Sequence, residues 1–516
     1  MTEILWEAPK TWAWARIDEV GEVVSGATPS TKVSEYWGND VIWFSPADLT
    51  GYRAKFIAKG AKSISLKGLS NSSARVFPAG SVMFSSRAPV GYVAINMHEA
   101  STNQGFKTLV PNAGVFNEYV YYYFKAIRHI AEQRATGTTF KELSGSAFSA
   151  LPIVLPPTNE QRRIVEKIEA MFERIDKGVE NLRGAKAALA LYRQSLLKSA
   201  FEGKLTADWR AQNADKLEAP KTLLARIQKE RETRYKSALE DWQTALSEWR
   251  ADGEVGRKPG KPSRPDWPKE ITFQGLKPIP DGWFYLPFEA VAYSIRNGIS
   301  AKPDGQGPLK IFRISAVRAR AFDLMDFRRI TDNDGSMEAY RLNYGDLVFT
   351  RYNGSRDYVG VSAMYRGDGT HVYPDKLIRC EIKSDLLNPA YLEMATNCGE
   401  SRAHLESLIR TTAGQSGISG GDIKSMPVPI CSPAEQAEIT RILDTRLTAA
   451  DRMEAEIDAA LSRADALRQS ILKRAFAGNL VPQDPTDEPA LTLLARIKAE
   501  RAKAGKTAKR KTTHAS

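Results

Sequence analysis

The chain contains much of itself twice. Residues 193–205 (RQSLLKSAFEGKL) return as residues 468–480 (RQSILKRAFAGNL), with nine of thirteen positions identical at an offset of 275. The same offset aligns LPIVLPPTNEQ from Leu151 with MPVPICSPAEQ from Met426, and carries Ile164 onto Ile439. A further echo, LLARIQKER from Leu223 and LLARIKAER from Leu493, keeps seven of nine residues at an offset of 270. Weaker matches mark the front of each copy: Pro9-Lys-Thr-Trp12 against Pro280-Asp-Gly-Trp283, and AGSVMFSSR from Ala79 against YGDLVFTRY from Tyr344. A period this long is the signature of a duplicated structural unit. The 516 residues therefore read as globule, helix, globule, helix rather than as three unrelated domains. Residues 30–75 and 300–340 share almost nothing, so the middle of each globule is expected to be individual on a common scaffold.

The best-matched stretches have helical periodicity. Ile164, Ile168, Phe172, Ile175, Val179, Leu182, Ala185, Leu189, Tyr192, Leu196 and Ala200 recur in steps of three and four, which defines one helical stripe over residues 159–201. A helix of that length spans about 65 Å. Residues 434–476 repeat the stripe through Ile439, Leu443, Leu447, Ala450, Ile457, Ala460, Ala464, Leu467 and Ile471. A single apolar stripe cannot bury itself, and both helices are already in one chain. The prediction is an intramolecular antiparallel coiled coil with a pseudo-twofold internal repeat, in preference to a coil that merely dimerises two chains. Thr158-Asn159-Glu160-Gln161 and Ser432-Pro433-Ala434-Glu435 read as capped N-termini. Gly203 and Gly478 stand where helices stop.

Residues 1–155 and 276–430 read as mixed α/β, with short strand-like runs at 41–44, 81–84, 91–95, 311–314, 346–350 and 358–362 between Gly, Asn and Ser turns. Each has a helical stretch near its end, at 117–134 and 389–409. Residues 250–270 hold four Pro, three Gly and ten charges, the composition of a disordered linker. Before them, Leu224, Ile227, Tyr235, Leu239, Trp242, Leu246 and Trp249 predict an amphipathic helix that packs on the long helices or docks on a partner.

Charge is a weaker guide than length. The 73 Lys+Arg against 61 Asp+Glu give a net +12, which points to a polyanion such as nucleic acid or to a solvated basic surface. Half of that excess lies in residues 498–516, with seven Lys/Arg and one acid, expected to be a solvated basic tail. A hydrophobic content of 42% excludes disorder as the main state. No apolar run approaches the length of a membrane span, and residues 1–10 carry Glu3 and Glu7 without a leader-like apolar core. Cys380, Cys398 and Cys431 lack CxxC spacing, so neither a disulfide framework nor a zinc site is predicted, and a cytoplasmic location is expected.

Catalytic constellations are hard to find. Gly505-Lys506-Thr507 lacks the earlier glycine of a phosphate loop, with Glu500 in its place. Asn388-Pro-Ala-Tyr391 resembles the tetrapeptide of amino-methyltransferases, but no Gly-rich cofactor loop precedes it and Asn117-Glu-Tyr119 is its counterpart, which favours a helix start. Pro374-Asp375 followed by Glu381-Ile-Lys383 resembles the PD-(D/E)xK nuclease pattern, whose two carboxylates and lysine hold Mg²⁺ and activate water. The first copy has no acid at the equivalent place. His98, His129, His371, His404 and His514 show no metal-ligand spacing.

A duplicated globule-plus-long-helix with unlike middles, helix ends RQSLLKSAFEGKLT and RQSILKRAFAGNL, and no catalytic set resembles the specificity (S) subunit of Type I restriction-modification enzymes. The resemblance covers residues 7–482, and its most family-like signals are LPPTNEQRRIVEKI from Leu155, SPAEQAEI from Ser432, and Leu205-Thr-Ala-Asp-Trp-Arg210. It implies an α+β organisation: target-recognition domain 1 (1–155), a first spacer helix (156–206), a helical extension and Pro/Gly-rich linker (207–275), target-recognition domain 2 (276–430), a second spacer helix (431–481) and a basic C-terminal tail (482–516). It further implies a non-catalytic subunit whose two domains each read half of an interrupted double-stranded DNA site. Two methyltransferase subunits and nucleotide-dependent restriction/translocase subunits would join it, with S-adenosylmethionine, ATP and Mg²⁺ bound by those partners and none by this chain. The long insertion between Leu205 and Pro278 departs from that pattern.

The candidate DNA contacts are polar and basic residues in Gly-rich turns: Ser85, Ser86, Arg87, Thr138, Thr139 and Lys141 in the first domain, and Arg351, Tyr352, Asn353, Arg356, Lys376 and Gln415 in the second. Arg, Asn and Gln can engage base edges bidentately, whereas phosphate contacts set affinity. The alternatives are a Mg²⁺-dependent nuclease using Asp375, Glu381 and Lys383, and a coiled-coil scaffold without nucleic-acid affinity.

Overall fold

The computed structural model describes residues 5–512 except 138–140, 257, 263, 265–266, 268–272, 274, 334 and 413, and describes residues 504–512 by their backbone alone. The chain divides into two compact units, one of Met1–Gly184 with Ile457–Ser516 and the other of Ala185–Glu456. Both cuts fall inside the long helices, Thr158–Phe201 and Pro433–Phe476, each of 44 residues. Each unit therefore joins one globule to part of both helices.

In the first unit the entry strand Ala13–Arg16 pairs antiparallel with Pro152–Leu155, the strand that leads into the first long helix. Between them lies a five-stranded sheet ordered Gly21–Ser25, Phe106–Pro111, Val82–Ser85, Val93–Asn96 and Phe56–Ile57. Its central strands are buried on both faces, which is why Val82-Met-Phe84 reads as a continuous apolar run rather than an alternating one. The helix Asn117–Ala126 packs on this sheet with Tyr119, Tyr123 and Phe124 fully buried. Its tyrosine hydroxyls are not stranded by burial: Tyr119 donates to Val154 O at 2.7 Å and Tyr123 to Pro152 O at 2.7 Å.

The second unit repeats this plan. Phe284–Pro287 pairs with Pro427–Ile430, and the sheet runs Ser294–Asn297, Leu377–Glu381, Leu347–Thr350, Ser362–Met364. Tyr391, on the helix Pro389–Thr396, donates to Pro429 O at 2.8 Å. The unlike middles also share a plan. Trp37–Phe44 has an antiparallel neighbour in Lys62–Ile64 and a parallel one in Ala100–Thr102. Leu309–Phe312 has Phe327–Ile330 and His371–Val372 in the same two relations. The backbone route is common even where the side chains have diverged.

The helices run antiparallel within each unit. Rising along the first helix, Glu160 meets Gln483 and Asp176 meets Arg468 in one unit. Lys186 meets Glu454 and Arg193 meets Asp451 in the other. The repeat is visible in single ion pairs, because Arg193 and Arg468 are 275 residues apart, as are Asp176 and Asp451. Both helices stop at a left-handed glycine, Gly203 at φ 70° and Gly478 at φ 74°. A Cβ at Gly203 would fall 2.1 Å from Pro280 Cγ, and one at Gly478 would fall 2.2 Å from Pro9 Cγ. Each helix end is thus seated directly on the entry segment of a globule, where only glycine fits. Of the two expected N-terminal caps, Ser432 accepts from Glu435 N at 3.4 Å, whereas Thr158 donates away from its helix to Gly114 O at 3.0 Å.

Two expectations need refinement. The basic tail continues a helix, Ala490–Thr512, whose Ala490, Leu493, Leu494 and Ile497, ahead of the tail, are buried in the core of the first unit. Residues 498–503 are exposed, with Lys498 paired to Glu19 at 3.5 Å and Arg501 donating to Asp18 O. The sequence echo of this helix behaves alike, with Leu223 and Ile227 buried in the second unit at the start of the helix Pro220–Ala251. Matching ion pairs, Arg226–Glu218 at 2.7 Å and Arg496–Glu488 at 2.8 Å, mark the equivalence. The described part of the Pro/Gly-rich linker is also engaged, since Trp242 Nε1 donates to Pro259 O at 3.0 Å and Trp249 Nε1 to Gly256 O at 3.3 Å. Those contacts tie the two indoles of the amphipathic helix to the linker that follows it.

Candidate nucleic-acid interface

In each globule three segments converge at one end of the sheet. In the first, Leu143 N donates to Ser86 O at 2.9 Å, Ser86 N to Gly105 O at 2.7 Å, and Ala27 N to Thr102 O at 2.8 Å. In the second, Ile418 N donates to Arg351 O at 3.0 Å, Arg351 N to Lys376 O at 2.9 Å, and Ile299 N to Tyr373 O at 2.9 Å. Ser86 and Arg351, Gly105 and Lys376, and Leu143 and Ile418 are therefore structural equivalents. The segment after the central strand is clasped on one side by a turn and on the other by a hairpin.

In the second unit most of the candidate contacts come together. Tyr352–Asn353 pairs with Gln415–Gly417, which pairs in turn with Arg410–Thr412. Arg351 lies 4.6 Å over the Tyr352 ring and sends Nη1 to Asp375 O at 3.3 Å. Gln415 is exposed, and Lys376 and Asn353 are half-buried beside it. Arg356 stands apart, exposed and donating to Glu406 O at 2.9 Å. The exposed Arg410 belongs to this surface but was absent from the predicted set. It lies opposite Gly417 across the hairpin, while Thr412 faces Gln415.

In the first unit the outcome is mixed. Ser85 is fully buried: its hydroxyl donates to Pro89 O at 2.7 Å and accepts from Tyr92 N at 2.7 Å, so it shapes the turn and faces no ligand. Ser86 is likewise buried. Arg87 is half-exposed and pairs with Glu142 at 3.5 Å, next to the exposed Lys141. Thr138 and Thr139 lie outside the described residues. Lys107 was not predicted. Its ammonium donates to Gln104 O at 3.1 Å, and burial pulls its pKa below the ordinary lysine value while the Glu142 charge opposes that shift. Thr28 and the exposed Gln104 complete the surface, the threonine hydroxyl donating to the Gln104 side-chain oxygen.

The nuclease arrangement does not form. Asp375 precedes the strand Leu377–Glu381 and Glu381 ends it, and six extended residues span about 20 Å. Glu381 is instead paired with Lys383 at 2.8 Å and Arg379 at 3.2 Å. Among the described residues no group of three or more His, Cys, Asp or Glu side chains could hold a metal ion.

A second repeated site explains the best-matched motif. Glu160 accepts from Trp12 Nε1 at 2.9 Å, and Glu435 from Trp283 Nε1 at 2.9 Å. The adjoining glutamines are equivalent as well, Gln161 accepting from Phe116 N at 2.7 Å and Gln436 from Asn388 N at 2.9 Å. The Glu-Gln pair pins each helix start to the entry tryptophan and to the helix of the globule. Burial raises the Glu160 pKa, opposed by the hydrogen bonds from Trp12 and Gln483.

Two globules of one plan, each presenting a polar hairpin-and-turn surface and joined through paired helices, define a duplicated recognition protein. The family described as Type I restriction modification DNA specificity domain matches residues 9–182. The chain is 30% identical to the Type I restriction enzyme EcoKI specificity subunit of Escherichia coli K12 over 464 residues, covering 86% of each chain. It is 24% identical to the StySPI specificity subunit of Salmonella potsdam over 98% of each chain. Among solved structures, a chain from a type I R-M system matches with a TM-score of 0.61 at 17% identity, over 92% of this chain and all of that one. The HsdS subunit from Thermoanaerobacter tengcongensis matches with a TM-score of 0.50 at 18% identity, over 93% and 100%. The chain belongs to the family of Type I restriction enzyme specificity subunits. It is a DNA-specificity component of such a system, and a non-catalytic one.

Proposed function

We propose that this chain reads a bipartite, asymmetric sequence in double-stranded DNA, one half with each globule. The carrying observation is that equivalent backbone frames present unlike side chains: Arg87 and Lys141 flank one, and Arg351, Tyr352, Asn353 and Gln415 the other. One frame with two sets of donors and acceptors should read two different base sequences. Arg87, Lys141, Arg351, Tyr352, Asn353, Arg356, Lys376 and Gln415, together with Arg410, are the proposed contacts. Thr138 and Thr139 remain proposed on sequence grounds.

In this reading the paired helices act as the spacer and as the seat for two methyltransferase subunits, to which restriction/translocase subunits attach. S-adenosylmethionine, ATP and Mg²⁺ belong to those partners. The three free cysteines agree with a reducing cytoplasm as the place of action. The organisation 1–155, 156–206, 207–275, 276–430, 431–481 and 482–516 is kept, with the final segment docking on the first unit through Leu493 and Ile497.

The test is a domain exchange. Residues 1–155 are replaced by the corresponding domain of another specificity subunit, and the methylated sequence of the assembled complex is determined. One half of the site should change and the other persist. A change in both halves would sink the modular reading.

A further inference from the structure

We propose that Gln104 and Asp375 are equivalent base-reading side chains, and that they give the two half-sites opposite hydrogen-bond polarity at one base pair. This rests on the DNA reading proposed above and assigns to it two residues outside the original candidate set. Each immediately precedes one of the equivalent positions Gly105 and Lys376, whose carbonyls accept from Ser86 N and Arg351 N. A close approach fixes each loop from behind. A Cβ at Gly26 would lie 2.0 Å from Asn103 O, and one at Gly298 would lie 2.2 Å from Pro374 O. The turn and the reading loop are thus in backbone contact in both units, at positions where any side chain would push them apart.

Both ends of Gln104 are held although the residue is exposed. Thr28 donates to its side-chain oxygen and Lys107 to its backbone carbonyl at 3.1 Å. With a lone pair of the oxygen taken by Thr28, the NH₂ is the side chain's donor group, suited to purine N7, guanine O6 or thymine O4. Holding it in place beforehand removes ordering entropy from binding.

Asp375 is fixed through its backbone, its N–H donating to Ile299 O at 2.9 Å and its carbonyl accepting from Arg351 Nη1 at 3.3 Å. Ser300 takes the place of Thr28 and is exposed. An ionised carboxylate only accepts, so it selects the amino group of cytosine or adenine. The neighbouring Arg351 and Lys376 offset the repulsion between that carboxylate and DNA phosphates. The acid that completes no metal site therefore acquires a different role.

The test uses the complex assembled with its methyltransferase subunits and a pool of randomised DNA duplexes, with the bound fraction sequenced. Gln104→Glu exchanges the donor NH₂ for an acceptor, and Asp375→Asn does the reverse, each with nearly unchanged shape. The expected result is a shift of about tenfold or more in preference at one base pair, within the half-site of the altered globule alone. The untouched half-site reports that the variant is folded. Unchanged preference throughout its half, or a uniform loss across both halves, would overturn the assignment for that residue. A parent complex that selects no split sequence would instead bring down the DNA reading itself.

Discussion

Glu435 lies beneath Trp283 and accepts the indole hydrogen at 2.9 Å, which ties the start of the second long helix to the entry of the second globule. Thr206 at 2.8 Å and Arg210 at 3.0 Å converge on the other oxygen of the same carboxylate. Among the described residues the hydrogen-bond partners of Glu160 are the neutral Trp12 and Gln483. Glu435→Ala takes the charged partner from Arg210 as well as an acceptor from an indole and a hydroxyl, and should cost about 3–5 kcal/mol. Glu160→Ala should cost about 1–3 kcal/mol. Urea unfolding of the two variants checks the order, and equal losses would remove the role assigned to Arg210.

The C-terminal segment carries a second prediction. Leu493 is 1% exposed and Leu223, its echo, is fully buried. Alanine at either position should destabilise its own unit by about 2–5 kcal/mol. A Leu493→Ala protein that melts like the parent would contradict the docking of this helix on the first unit's core.

Arg193 holds Asp451 at 2.6 Å and Glu454 at 2.6 Å, whereas its counterpart Arg468 holds Asp465 at 2.8 Å and also pairs with Asp176. The Asp451 and Asp176 side chains are 69% and 68% exposed, so solvent screens both pairs. A double-mutant cycle on Arg193 and Asp451 should give a coupling of about 0.5 kcal/mol, shrinking in high salt. A coupling several times larger and insensitive to salt would contradict that assessment.

Asp304 accepts from Gln306 N at 3.0 Å and from Thr331 N at 3.0 Å, and hydrogen bonding from Thr331 leads the causes that pull its pKa down to about 2. A carboxyl with a folded-state pKa below its unfolded one stabilises the protein above the unfolded value, about 4. That contribution is lost as the pH falls from there towards the folded value. The stability difference between the parent and Asp304→Asn should therefore be constant near neutrality and narrow below about pH 4. Unfolding midpoints measured from pH 6 to pH 3 test this, and a gap that widens in acid would reverse the sign.

The repeat made the architecture legible, because strict spacing in the helices survives as strict geometry at Arg193 and Arg468. The weak match of Trp12 with Trp283 proved as structural as the strong ones, since each indole meets a buried glutamate. Thr28 and Gln104 stayed hidden because their partnership spans 76 residues of unlike sequence and depends on a backbone approach at Gly26. Ser85 was misread for a related reason: a polar residue beside a glycine turn looks the same in sequence whether its hydroxyl faces solvent or closes the turn. The docking of the last helix stayed hidden because its four buried positions precede the lysine-rich stretch that dominates the composition there.

The discontinuity of the first unit also sets an order of events during synthesis. The second unit is one continuous stretch, Ala185–Glu456, and can close as soon as it leaves the ribosome. In the first, Tyr119 and Tyr123 meet Phe476 edge-on at 5.3 and 5.1 Å, and Leu493 and Ile497 belong to the same core. This globule must therefore wait for Phe476 to Ile497, which follow only after the whole second unit, on the order of tens of seconds later at ordinary elongation rates. Until then its aromatic face is open to chaperones and to other nascent chains, and residues made after the second unit complete the domain that was begun before it.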